Sequence, residues 1–171
     1  MWGFAEATLF FIVPDVILTY IAITNLRKAL KASLYALAGA LLGGLLMYFW
    51  GTISPQSALS VVGKVPAINH EMLIKVEEDL AEQGLLAMIL GPIQGIPYKT
   101  YAVQAADANI HVLSFFFASI PARYLRFFLS SLLAGLAGKY LLRNRSRTIR
   151  YLALTLFWVL FYTFYFSVYP F

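Results

Sequence analysis

Five ionisable residues of this chain fall inside or beside apolar runs: Glu6, Asp15, Lys99, Arg123 and Arg126. Charges in such places are costly in hydrocarbon, so they pair with one another or mark a path for substrate or ions. Their types suit the handling of an anion. Lysine and arginine donate charge-assisted hydrogen bonds to phosphate or carboxylate, arginine through a planar fork and lysine as a point charge. Glu6 and Asp15 could neutralise these cations while the site is empty. Protonating a carboxylate would then release its cation for a ligand, which is a route to proton coupling. The bland alternative is that acid and base only tie two segments together. Arg123 and Arg126 are three apart and share a helix face. An alternative reading makes Arg123 the end of a helix at the membrane interface.

Nothing in the sequence points to an enzyme. Cysteine is absent, and the two histidines, His70 and His111, are isolated. With no nucleophile–base–acid set, no metal-ligand spacing and no phosphate loop, neither metal nor cofactor is expected.

The charges sit around two breaks in apolar sequence. Gly91, Pro92, Gly95 and Pro97 fall within the nine residues 91–99, which also hold Lys99, inside an apolar run over about 84–110. Proline removes a backbone donor and clashes with the preceding turn. In lipid, the backbone groups so freed must be buried in protein or line a wet cavity. Residues 2–24 repeat the pattern with opposite charge, broken at Pro14 and carrying Glu6 and Asp15. Each segment could instead be one kinked spanning helix, with Lys99 reaching the interface or Asp15 capping a second half.

The rest of the chain must hold these segments in a bilayer. Of its 171 residues, 61% are hydrophobic and 12% charged, and the mean hydropathy is +0.75. Soluble domains are about 25% charged, so an integral membrane protein with one helical domain is expected. Residues 33–50 read as a span ending in the interface anchors Tyr48 and Trp50. Its Gly39 and Gly43 leave a face flat enough for close helix contact. Residues 51–83 are polar, with loop signals at Pro55, Gly63 and Pro66. Asn69 caps a helix from His70 whose Met72, Val76 and Leu80 form one apolar stripe. Residues 112–138 and 151–169 are further spans, and the aromatics of the last are expected to be lipid-facing anchors. No signal peptide is expected at the N-terminus.

Charge sets the expected topology. The basic segments 25–32 and 139–150 belong in the cytoplasm by the positive-inside rule, whereas 51–83 carries five acids against two lysines and lies outside. If 84–110 crossed the membrane, one basic segment would be forced out. A hairpin that enters and leaves on one side keeps both in. The net charge of +5 thus reads as membrane orientation, not as a nucleic-acid surface.

Taken together these residues resemble the DedA superfamily, also called the VTT or SNARE-associated family, in a divergent bacterial branch. The likeness covers about 3–138. It is carried by Glu6-Ala7-Thr8, Val13-Pro14-Asp15, the glycine-rich 39–44, Gly91-Pro92, Pro97-Tyr98-Lys99 with Ala105-Ala106, and the paired arginines of 119–128. The resemblance implies two re-entrant hairpins facing one another amid a few spanning helices. It implies lipid movement across the bilayer, of undecaprenyl phosphate in bacteria or phospholipid in eukaryotic relatives. By match, Glu6, Asp15 and Lys99 are the residues such a protein depends on, with Arg123 carried over beside them. Where the family usually has two arginines around the second proline, this chain has Lys99 alone, and Asp107 follows the alanines in place of glycine.

The expectation is therefore an all-α integral membrane protein, one domain over 1–171, in a bacterial inner membrane with several passes. It has about three spanning helices, re-entrant hairpins at about 3–24 and 84–110, and spans at 33–50, 112–138 and 151–169. Its expected activity is translocation of an anionic lipid, with Lys99, Arg123 and Arg126 binding the head and Glu6 and Asp15 gating or coupling protons. Membrane lipids are the expected partners, a homo-oligomer is compatible, and nucleic acid is not expected. The rival readings are a proton-coupled ion or small-solute transporter, and a non-transporting membrane scaffold.

Overall fold

The computed structural model describes residues 1–168, apart from the side chain of Ile93. The last residue of the expected span 151–169 lies outside them. The fold is all-α, about 79% helical, with no strand among the described residues. Two short helices open it, α1 (Trp2–Ala7) and α2 (Asp15–Ala22), separated by the break at Pro14. Then come the long α3 (Leu26–Ile53), the short α4 (Pro55–Val62) and the amphipathic α5 (His70–Gln83). The second break lies between α6 (Leu85–Leu90) and α7 (Tyr98–Gln104). It contains a 3-10 turn, Gly91–Gln94, followed by Gly95 at φ 84°, a left-handed conformation that glycine adopts without strain. Two long helices close the chain. The first, α8 (Val112–Leu136), continues through a π turn, Ala137–Leu141; the second is α9 (Arg147–Val168).

Three of these helices are long and apolar enough to cross a membrane: α3 with 28 residues, α8 with its π turn with 30, and α9 with 22. A span needs about 20 residues, or ~30 Å of hydrocarbon. The helices flanking the two breaks have 6, 8, 6 and 7 residues.

Several expected boundaries move. The basic segment 25–32 is not a loop. Asn25 accepts a hydrogen bond from the Lys28 amide at 3.0 Å and starts α3 at Leu26, so Arg27, Lys28 and Lys31 ride its first two turns. A good N-cap outcompetes the local polarity that suggested a loop. At the other end α3 runs on to Ile53, past the expected limit at 50. Pro55 then opens α4 at a position where its missing N–H costs nothing. In the second basic segment, Arg147 and Arg150 belong to α9 and Lys139 to the π turn. Pro14, not Asp15, occupies the cap position of α2. The helix end suggested at Arg123 is absent, because α8 continues through Pro121 and holds both arginines near its middle. As expected, Asn69 caps α5 through the Met72 amide at 2.8 Å, and Met72, Val76 and Leu80 are buried.

Small residues set the core. A Cβ added to Gly39 or Gly43 would lie 2.9 Å from the Phe4 amide nitrogen or 2.8 Å from the Phe4 carbonyl oxygen, so α1 rests backbone-to-backbone on α3. Gly44 makes room for the Tyr98 ring and Gly51 for the backbone at Val103, which seats α7 against the other half of α3. All seven residues of α7 are buried. The outermost element is α9, the least enclosed of the three long helices.

Candidate functional site

The two breaks bring the charges together. Glu6 ends up buried at the close of α1 because glycines let that helix sink onto α3. Asp15 lies in the first turn of α2, where a carboxylate is favoured by the helix dipole. Lys99 opens α7, immediately after the second break. Arg123 and Arg126 point from the middle of α8 toward these residues. Four of the five are almost wholly enclosed, with exposures of 3% for Glu6, 4% for Asp15, 2% for Lys99 and 0% for Arg123.

The pairing is specific. Arg123 Nη2 donates to Glu6 Oε2. Arg126 Nη2 lies 2.8 Å from Asp15 Oδ2 and 3.9 Å from Glu6 Oε1, linking both acids. The Arg123 guanidinium lies 4.9 Å from the Tyr98 ring and 5.0 Å from the Phe127 ring, a cation–π enclosure that adds to the ion pair. The Tyr98 hydroxyl is fixed in turn by a 2.7 Å hydrogen bond to Ser119. Lys99 pairs differently: its Nζ donates to the carbonyl of Phe10, in the first break, at 2.7 Å. The first break therefore supplies a partner for a charge brought by the second broken segment.

The two arginines differ in access. Arg123 is sealed, and Arg126 keeps 28% of its side chain exposed. Arg126 lies on the border of two cavities. One, of about 570 Å³, lies between α2, α8 and α9 and is lined almost entirely by apolar side chains, with Asp15 and Arg126 at one end. The other, of about 100 Å³, holds Glu6, Lys99 and Arg126 and extends to Val65 and Pro66, ahead of α5. Val13, Pro92, Arg126 and Phe161 line both, so the cavities adjoin at the Asp15–Arg126 pair. Arg123 lines neither.

Sequence reasoning missed the inner face of α9. Its aromatics were expected to face lipid, and Leu160 and Phe164 do lie on the outside. The opposite stripe reaches inward. Thr155 Oγ1 shares a 2.6 Å hydrogen bond with the Tyr20 hydroxyl, Trp158 Nε1 donates to Thr19 Oγ1 at 3.0 Å, and the Val13 amide donates to the Tyr162 hydroxyl at 3.0 Å. The Tyr165 hydroxyl donates to the Gly95 carbonyl at 3.1 Å, inside the second break. The signal was the spacing: 155, 158, 162 and 165 place four polar-tipped side chains along one face of an apolar helix.

Among the described residues no group of three His, Cys, Asp or Glu could hold a metal ion.

No protein-family model and no solved structure matches the chain. One relative does. A Haemophilus influenzae protein, described only as uncharacterized, is 25% identical over 137 residues, which is 80% of this chain and 70% of the relative. Its name assigns no activity.

Proposed function

We propose that this chain is a membrane lipid translocase of the DedA type, moving an anionic lipid such as undecaprenyl phosphate or a phospholipid across a bacterial inner membrane. The observation that carries this reading is the Asp15–Arg126 ion pair. It sits at the middle of a long apolar helix, where an apolar cavity meets a charged one. A lipid has both kinds of surface, and a path for it must offer both.

The lengths of the broken segments support the architecture that goes with this activity. Helices of 6 to 8 residues on either side of each break are far too short to cross alone. Two hairpins that enter and return would satisfy both these lengths and the charge asymmetry of the basic ends. Broken helices meeting near mid-depth are a recurring way to build a transport site.

In this mechanism Lys99 and Arg126 meet the anionic head, because both line the charged cavity. Arg123 holds Glu6 in place from behind. The head displaces Asp15 from Arg126, and protonation of Asp15 would ease that exchange and couple transport to protons. The charged cavity, at about 100 Å³, is small beside the apolar one. That proportion favours an amphiphile over a hydrated ion.

The test is movement of labelled undecaprenyl phosphate or anionic phospholipid in proteoliposomes, with folding checked by monodisperse elution. The parent should move lipid above the rate of empty vesicles, Lys99→Gln and Arg126→Gln should not, and Asp15→Asn should alter the pH profile. A parent that moves no lipid would hand the reading to a small-solute transporter or a scaffold. Well-folded variants with parental rates would reject the charged path.

A further inference from the structure

The apolar cavity between α2, α8 and α9 carries the Asp15–Arg126 pair in its lining and is otherwise almost entirely apolar, and it is large for a void. Its volume of about 570 Å³ falls within the ~300–1,000 Å³ of ordinary ligand sites. It begins at Arg126 and reaches Ala137 and Leu142, beside the basic connection to α9. Ala137 lies eleven positions beyond Arg126, at the start of the π turn that continues α8, roughly 16 Å at the rise of an α-helix. That is about half of the ~30 Å hydrocarbon core, the depth of one leaflet. Leu133 and Phe157 line the cavity and are exposed by 65% and 55%, so it opens sideways between α8 and α9.

We infer that this cavity is the seat of a single hydrocarbon tail of a monophosphate lipid, held with its head at Arg126 and Lys99 and its tail directed toward the basic end of the bundle. This rests on the translocase reading for the head and adds a tail site to it. Three features select the occupant. Apart from Thr19 and Ser130, the walls between Arg126 and Ala137 are apolar. The only charges on the cavity lie at one end, where Arg126 can turn from Asp15 to an incoming anion. Four residues shared with the charged cavity make the two compartments continuous, so one molecule can occupy both. Small residues, Ala134 and Ala137 on α8 and Ala153 on α9, give the chain its width.

The experiment uses the full chain in lipid nanodiscs and hexadecyl phosphate carrying a diazirine at the chain terminus, with labelled peptides mapped by mass spectrometry. Labels are expected on 133–137 and on Ala153. Unlabelled hexadecyl phosphate should compete, and hexadecanol should compete about tenfold less well, the weight of one charge-assisted contact. Ala153→Phe narrows the cavity from an exposed position and should reduce labelling there; Ala134→Leu narrows it independently from α8. Labels confined to outward positions such as Leu129 and Phe164 would overturn the tail site, as would equal labelling of the parent and both narrowed variants. Equal competition by hexadecanol would overturn the anionic head. Labelling of the cavity without lipid movement in vesicles would keep the site and reject translocation. Lipid movement without such labelling would reject the site and leave translocation standing.

Discussion

Lys99 donates its Nζ proton to the carbonyl of Phe10 at 2.7 Å, although the carboxylate of Glu6 borders the same small cavity. A buried lysine held by a neutral acceptor keeps its charge available for something else. It also gives a partner to a carbonyl of the first break that lies outside any helix. These two duties can be separated. Lys99→Gln keeps a donor for Phe10 and loses the charge; Lys99→Met loses both. We expect Lys99→Met to lower stability in detergent by about 1–3 kcal/mol, the cost of a buried unsatisfied acceptor, and Lys99→Gln to lower it less. Both should abolish lipid movement. Equal melting losses for the two would refute the duty to Phe10.

The two ion pairs should differ in coupling. Removing one partner of an enclosed pair costs about 3–5 kcal/mol because a charge is left buried. Double-mutant cycles on thermal stability, with Glu6→Gln and Arg123→Leu in one and Asp15→Asn and Arg126→Leu in the other, would compare them. The Glu6–Arg123 cycle should show the larger coupling, because Arg123 is sealed and Arg126 is partly exposed. Additive losses in the first cycle would reject its role as the tie between α1 and α8.

Gly43 tests the seat of Glu6. A Cβ there would lie 2.8 Å from the Phe4 carbonyl oxygen and 2.9 Å from the Ala7 Cβ. Alanine gains up to about 1 kcal/mol of helix propensity over glycine, but overpacking a backbone contact costs about 1–3 kcal/mol. Gly43→Ala should therefore lower the melting temperature and move α1, and with it Glu6, away from Arg123. A stabilised variant would show that α1 does not depend on this contact.

Orientation can be read with single cysteines, since the native chain has none. A thiol reagent that cannot cross the membrane should label Ser57→Cys on intact cells and Ser146→Cys only after permeabilisation. Both serines are exposed, on α4 and ahead of α9. Labelling of both from one side would be incompatible with 84–110 entering and leaving on the same side.

Much of this arrangement was legible in the sequence. Hydropathy marked the three long helices, proline marked both breaks, and the rarity of charge in apolar runs marked all five residues of the cluster. What could not be read was which acid meets which base. That choice depends on the rotation of each helix about its axis, and so on contacts such as those of Gly39 and Gly43, which carry no charge signal. The basic residues of 25–32 misled because loop and first helical turn look alike in composition, and only the Asn25 cap separates them. Trp158 and Tyr162 were misjudged for a related reason. An aromatic residue on a spanning helix looks the same whether its polar tip meets a lipid headgroup or a backbone amide.

Glu6 and Arg123 are 117 residues apart in the chain, and Asp15 and Arg126 are 111 apart. A ribosome therefore finishes both acids long before it reaches their bases. If the first two helices form the proposed hairpin, they cannot settle at full depth as charged species during that interval without severe cost. They must wait at the membrane surface, or enter with their carboxyl groups protonated, until α8 arrives. On that architecture, assembly of the site is a late event in biogenesis. A chain cut before Arg123 should leave its opening segment reachable from water, however apolar that segment is.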